Sequence, residues 1–222
     1  MNIQAIAFDL DGTLCDTLPD LVSAANASRQ HLDLPALPDA RIESYVGDGI
    51  PRLVHRLLCD NREGEAPAAL HEKAYRYFTD YYREHLCVTS RLYPEVATTL
   101  EALRAQNLSL AVITNKNEAL AHSLLRQLGI ADYFRLILGG DSLSEKKPQP
   151  LPLLTTAKTL GISPPNMLMV GDSANDILAG KAANCPVAAV TYGYADIKTL
   201  QQQEKTQANY LIEHFAQLLQ IL

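Results

Sequence analysis

Short, continuous apolar runs set against amphipathic helical stretches constrain this chain most. The runs fall at residues 3–8, 108–113, 136–138, 167–170 and 187–190, with a sixth at 210–212 placed at an edge. Strands buried on both faces read as unbroken apolar runs, because neither side of the pleat meets water. Between them, residues 95–106 repeat apolar positions at Val96, Leu100 and Leu103. Residues 118–128 do so at Leu120, Leu124, Leu125 and Leu128, ahead of Gly129, and residues 151–160 run up to Gly161. A glycine after the last periodic residue is a helix stop signal. Strand alternating with helix predicts an α/β fold, a doubly wound, Rossmann-like parallel sheet.

One segment breaks the alternation. From residue 16 to about 88 no strand pattern is visible, and helical stripes fit 18–32, 38–46, 50–58 and 68–85. The expectation is a core built from 1–15 and 90–222, with an all-helical cap domain, 16–89, inserted after the first strand. The stretch 61–67 reads as an exposed loop within the insertion.

In an open α/β sheet, ligands bind beyond the carboxyl ends of the strands. The residues just past each run are therefore informative. The first run leads into Asp9-Leu10-Asp11-Gly12-Thr13 and the second into Thr114-Asn115-Lys116. The third leads to Gly139-Gly140-Asp141 and then Lys146-Lys147-Pro148, the fourth to Gly171-Asp172-Ser173-Ala174-Asn175-Asp176. Carboxylates, a hydroxyl and a lysine thus gather at one sheet edge. Asp9 and Asp11, two residues apart in extended chain, can point the same way, and so close a pair needs a cation or a shared proton. Oxygen donors of this kind suit Mg²⁺. The six histidines and four cysteines show no zinc spacing. Asp176, opening a helix, either complements the helix dipole or joins the site. Thr114 is either a phosphate-binding hydroxyl or a cap on the next helix.

These stretches resemble the motifs of the haloacid dehalogenase superfamily, in its phosphoglycolate phosphatase-like branch with a helical cap after the first strand. Phe8-Asp9-Leu10-Asp11-Gly12-Thr13-Leu14, Ile113-Thr114-Asn115-Lys116, Lys147-Pro148-Gln149-Pro150 and Val170-Gly171-Asp172-Ser173-Ala174-Asn175-Asp176 match its four motifs in order. The resemblance implies a Mg²⁺-dependent phosphomonoester hydrolase. Asp9 is its nucleophile, Asp11 its general acid and base, and Lys147 the cation beside nucleophile and phosphate. Thr114 and the Asn115 backbone bind phosphate. Asp9, Asp172 and the Asp11 carbonyl hold the metal, and Asp176 orders the metal's surroundings. Lys147 is taken over Lys146 because it precedes Pro148, and Lys116 is read as surface or rim. Asp11 sets the chain apart from the dehalogenases, which lack that carboxylate.

The substrate implied is 2-phosphoglycolate. A sugar phosphate, a nucleotide or pyrophosphate is the alternative within the branch, and a catalytically idle binding protein the alternative outside it. Cap residues Gly47, Asp48, Gly49 and Arg52, with Arg56, are candidates for reading a substrate carboxylate; the other reading is a helix-joining turn with two solvated arginines. Tyr75, Tyr77, Phe78, Tyr81 and Tyr82 read as cap core. A net charge of −6 argues against a nucleic-acid partner. The first apolar run is too short to span a membrane, and scattered Cys15, Cys59, Cys87 and Cys185 read as reduced thiols. The expectation is a cytoplasmic monomer or homodimer acting on a small phosphorylated metabolite.

Overall fold

The structure is a computed structural model and describes residues 2–222. The chain divides into two compact units, Met1–Asp16 with Leu92–Leu222, and Thr17–Arg91.

The first unit is built on strand β1 (Ala5–Phe8), all four residues of which are buried. Two-residue strands β2 (Cys15–Asp16) and β3 (Arg91–Leu92) stand where the chain leaves and re-enters this unit, and pair as a separate sheet. The main sheet continues with β4 (Ser109–Ile113), β5 (Leu136–Leu138), β6 (Met167–Gly171), β7 (Val187–Val190) and β8 (Tyr210–Ile212). Its order is β5-β4-β1-β6-β7-β8, and every pairing is parallel. Ala5–Phe8 lie in register with Ser109–Val112 on one side and Met167–Val170 on the other. The chain therefore runs outward from β1 through β4 to β5, then crosses back to β6. That reversal opens a crevice at the carboxyl ends of the central strands.

Both faces of β1 are covered. Successive side chains alternate across the sheet. Ala5 and Ala7 join a core cluster with Leu153, Ala157, Ile177, Met169 and Val187. Phe8, one step out of phase, meets Phe134 and Phe215, with ring centroids 6.3 and 5.7 Å away. This two-sided cover explains why the strands carry no polar alternation.

Four helices come from the insertion: α1 (Leu18–His31), α2 (Asp39–Glu43), α3 (Ile50–Cys59) and α4 (Ala68–Glu84). Those of the first unit are α5 (Val96–Ala105), α6 (Glu118–Gln127), α7 (Leu151–Leu160), α8 (Ala174–Ala182), α9 (Ile197–Leu200) and α10 (Leu218–Ile221). The Asn117 side chain caps α6 by accepting from Leu120 N. Gly161 ends α7 in the left-handed region at φ 70°, where a Cβ would be strained.

Within the helical unit, α1 packs on α4. Leu21, Ala24 and Ala25 of α1 and Ala74, Phe78 and Tyr82 of α4 are buried, and Ser28 Oγ donates to Ala74 O at 3.2 Å. Tyr77 and Tyr81 instead stack on His31 and His85, both at 4.1 Å. The stripe expected over 38–46 forms only the single turn of α2. Of the two arginines after the Gly47–Gly49 loop, Arg56 is buried and Arg52 is half-buried. Arg56 is 4% exposed, pairs with Asp48 at 2.6 Å and donates to the carbonyls of Tyr45 and Arg62. Arg52 pairs with Glu63 and Glu65. A guanidinium can satisfy several acceptors from one fixed plane, so these two tie the turn 45–49 and the loop 61–65 to α3.

Candidate active site

Asp9 is the first residue past β1, and its N–H donates to Val170 O at 2.9 Å, which prolongs the β1–β6 ladder by one step. The next residues turn sharply. The N–H groups of Thr13, Leu14 and Cys15 all point at Leu10 O, and Gly12 takes φ 83°. A Cβ on Gly12 would lie 2.8 Å from Asp172 Cγ, so only glycine lets this turn approach that carboxylate. Asp172, just past β6, is 3% exposed. It accepts from Thr13 Oγ1 at 3.2 Å and from Tyr194 N at 2.8 Å. The turn after β1 and the loop after β7 therefore fix the same side chain.

Asp176 is fully buried at the third position of α8. It closes a capping box with Ser173, accepting from Ser173 N at 3.0 Å and Ser173 Oγ at 2.7 Å. Its other oxygen, Oδ1, accepts from Lys147 Nζ at 2.6 Å. The two roles open to Asp176 in the sequence thus coexist: it caps the helix and faces the carboxylates.

One oxygen each of Asp9, Asp172 and Asp176 lie within 4.8 Å of one another. Lys147 sits among them, 2.9 Å from Asp9 and 2.6 Å from Asp176, with its side chain 1% exposed. Lys146 beside it is half-buried. The segment is anchored to β4, since Asn115 Nδ2 donates to Lys147 O at 2.9 Å. Thr114 does not cap α6, a role Asn117 fills; its hydroxyl accepts from Lys116 N at 3.2 Å.

The electrostatics follow from this crowding. Burial pushes Asp9 up to about 6, opposed by the Lys147 ammonium and reinforced by Asp176 and Asp11. Burial, with Asp176 and Asp9 close by, raises Asp172 well above the ordinary carboxylate range, against the Tyr194 N–H. Burial alone would lower Lys147, but Asp176 and Asp9 outweigh it and hold the ammonium charged, above its usual value. Three crowded carboxylates, two of them buried, with one ammonium leave negative charge uncompensated. Oxygen-only donors in that state fit a hard divalent cation better than a thiophilic one.

The carboxylate of Asp11 turns elsewhere. Both its oxygens accept from Lys116 Nζ, at 2.9 and 3.0 Å. Lys116, expected at the surface or rim, is 4% exposed. The reason is a partner 105 residues earlier in the chain, which compensates the buried charge. Sequence alone offered one clue, a lysine three residues past the end of an apolar run. Thr13, although inside the first motif, and the Tyr194 backbone were likewise not singled out.

The fold and the strand-end carboxylates together define a class of hydrolases. The sequence model of the haloacid dehalogenase-like hydrolases matches residues 6–190. This chain belongs to that family. It is 55% identical over 211 residues to the phosphoglycolate phosphatase of Neisseria meningitidis serogroup A, covering 95% of this chain and 90% of that protein. It is 56% identical over 199 residues to the phosphoglycolate phosphatase of Chromobacterium violaceum, covering 90% of each. The crystal structure of a predicted phosphoglycolate phosphatase from Haemophilus somnus superposes with a TM-score of 0.92 at 38% identity, over 100% of this chain and 98% of that one.

Proposed function

We propose that this chain hydrolyses phosphomonoesters through an aspartyl-phosphate on Asp9, with Mg²⁺ as cofactor and 2-phosphoglycolate as substrate. The observation that carries the reading is the placement of Asp9. It stands at the end of the central strand, beside a buried ammonium and two further carboxylates. The substrate assignment rests on the relatives of that name, which are more than half identical over nine-tenths of the chain.

In this mechanism Asp9 attacks phosphorus and the ester P–O bond breaks. The leaving alkoxide takes a proton from Asp11. Water then attacks phosphorus, Asp11 accepts its proton, and the bond to Asp9 breaks to release inorganic phosphate. With Asp9 at about 6, the carboxylate is mostly ionised at neutral pH and able to attack. Lys147 stays charged and offsets the repulsion between that carboxylate and the phosphate dianion. The Thr114 hydroxyl and the Asn115 N–H serve as phosphate donors at the end of β4. Asp9, Asp172 and the Asp11 carbonyl would hold the cation, with Asp176 fixing their surroundings through Lys147 and Ser173. When bound, Mg²⁺ supplies positive charge against the phosphoryl oxygens.

We further propose that the helical unit is a cap domain that sets substrate choice, with Gly47, Asp48, Gly49 and Arg52 as its specificity residues. Among the described residues no helix is long and apolar enough to cross a membrane. We take the protein to be cytoplasmic, a monomer or homodimer without a nucleic-acid partner, in keeping with its net charge of −6.

Phosphate release from 2-phosphoglycolate, sugar phosphates, nucleotides and pyrophosphate, with Mg²⁺ and then with chelator, tests the reading. Metal-dependent turnover led by 2-phosphoglycolate is expected. Another leading substrate overturns the substrate assignment alone, and no hydrolysis at all overturns the enzymatic reading.

A further inference from the structure

The site holds two lysine–aspartate systems. Lys147 bridges Asp9 and Asp176, whereas Lys116 is bonded to both oxygens of Asp11. We propose that Lys116 is a positioning residue for Asp11, holding its carboxylate in the orientation from which it exchanges protons with leaving group and water. This inference rests on the phosphatase reading above.

The geometry supports it at three levels. First, the lysine backbone is fixed on both sides. Lys116 N donates to Thr114 Oγ1 at 3.2 Å, and Lys116 O accepts from Gly140 N at 2.8 Å. A Cβ on Gly140 would meet the Asn115 backbone inside van der Waals contact, so this close approach depends on glycine. Second, the ammonium sits at nearly equal distance from both carboxylate oxygens, which fixes the direction in which the carboxylate points. Third, the chain at Asp11 is itself a turn. Its backbone forms an isolated bridge with Cys15, and Gly12 N donates to Cys15 O at 2.9 Å. A side chain on such a turn swings unless something holds it, and misplacement by about 1 Å can cost a factor on the order of 10² in rate. The pair also separates the two carboxylates of the first motif. Asp9 is drawn to Lys147 and Asp11 to Lys116, so each faces its own cation.

The test compares two esters that differ in how much they need a proton donor. An alkyl phosphate such as 2-phosphoglycolate expels a strongly basic alkoxide, whereas p-nitrophenyl phosphate expels a weakly basic phenolate. The readout is kcat/KM, which stops at phosphorylation of Asp9 and so excludes the common hydrolytic step. Removing a positioned acid costs about 10²–10⁴-fold where the proton is needed. Lys116→Met should lose a substantial part of that on the alkyl ester, about 10-fold or more, and at most about threefold on the aryl ester. Asp11→Asn should show the same split, and Lys116→Met should add nothing to it. Lys116→Gln keeps an N–H donor on a side chain one atom shorter; it should fall between wild type and Lys116→Met, and it serves if the methionine variant does not fold. Equal losses on both esters, or a double variant whose losses multiply, overturn the inference while leaving the phosphatase reading intact. Inactivity of the unmodified chain toward both esters overturns both.

Discussion

Lys147→Met should uncover the charge imbalance on which the site is built. The ammonium is 1% exposed in its side chain and lies 2.9 Å from Asp9 and 2.6 Å from Asp176. Methionine keeps most of the side-chain length and removes the ammonium, its charge together with its hydrogen bonds. Breaking a buried ion pair by deleting one partner costs about 3–5 kcal/mol. For a chain of this length each kcal/mol moves the melting temperature by about 2–4 °C, so the fall should be roughly 6–20 °C. The size should depend on pH. Asp9 stands at about 6 with the lysine in place, and without it the value climbs further. A carboxylate whose folded value lies above its unfolded one weakens the fold as pH rises past the unfolded value, here 3.8. The penalty is complete only above the folded value. The deficit of the variant should therefore be smaller near pH 5, where Asp9 is mostly protonated in both proteins, than near pH 8. Calorimetric melting of both proteins in chelator, across that range, measures it. A deficit independent of pH would refute the claim that Lys147 compensates Asp9, and no deficit at all would refute compensation of either carboxylate.

Other outcomes rest on the same geometry. Gly171→Ala should lower stability by about 1–3 kcal/mol in denaturant titration, because its Cβ would overlap the buried Asp176 side chain. Ser173→Ala removes half of the capping box on α8 and should cost about 1 kcal/mol in the same assay. The rise in melting temperature given by Mg²⁺ should shrink as pH falls through about 6, since protons then compete with the cation for Asp9 and Asp172. A rise that is unchanged between pH 5 and pH 8 would place the cation elsewhere.

The main sheet was legible because burial on both faces writes each strand as an uninterrupted apolar run. Leu136–Leu138, Val187–Val190 and Tyr210–Ile212 came out at the residues expected, and Leu151–Leu160 did so through its glycine stop. The two-residue strands Cys15–Asp16 and Arg91–Leu92 could not be read, since their pairing is a contact across most of the insertion and leaves no periodic trace. The carboxylates at the strand ends were also legible, because polar residues directly after a buried run stand out. Their cationic partners were harder. Lys116 looked like an ordinary surface charge, as most lysines are, and Arg56 was open between a reader of a substrate carboxylate and a solvated arginine. Their burial depends on Asp11 and on Asp48 with the carbonyls of Tyr45 and Arg62, partners that only the folded chain brings within reach. Asn117 took the cap of α6 that Thr114 could have filled, a choice between neighbours that propensity alone does not make.

The central claim is that Asp9 becomes covalently phosphorylated. Quenching the enzyme during turnover and reducing it with borohydride converts an acyl phosphate on aspartate to homoserine, which peptide mass spectrometry locates. The account predicts homoserine at position 9, formed only when substrate is present, and its absence from Asp9→Asn. Reduction at another aspartate, or steady turnover with position 9 unmodified, would contradict it.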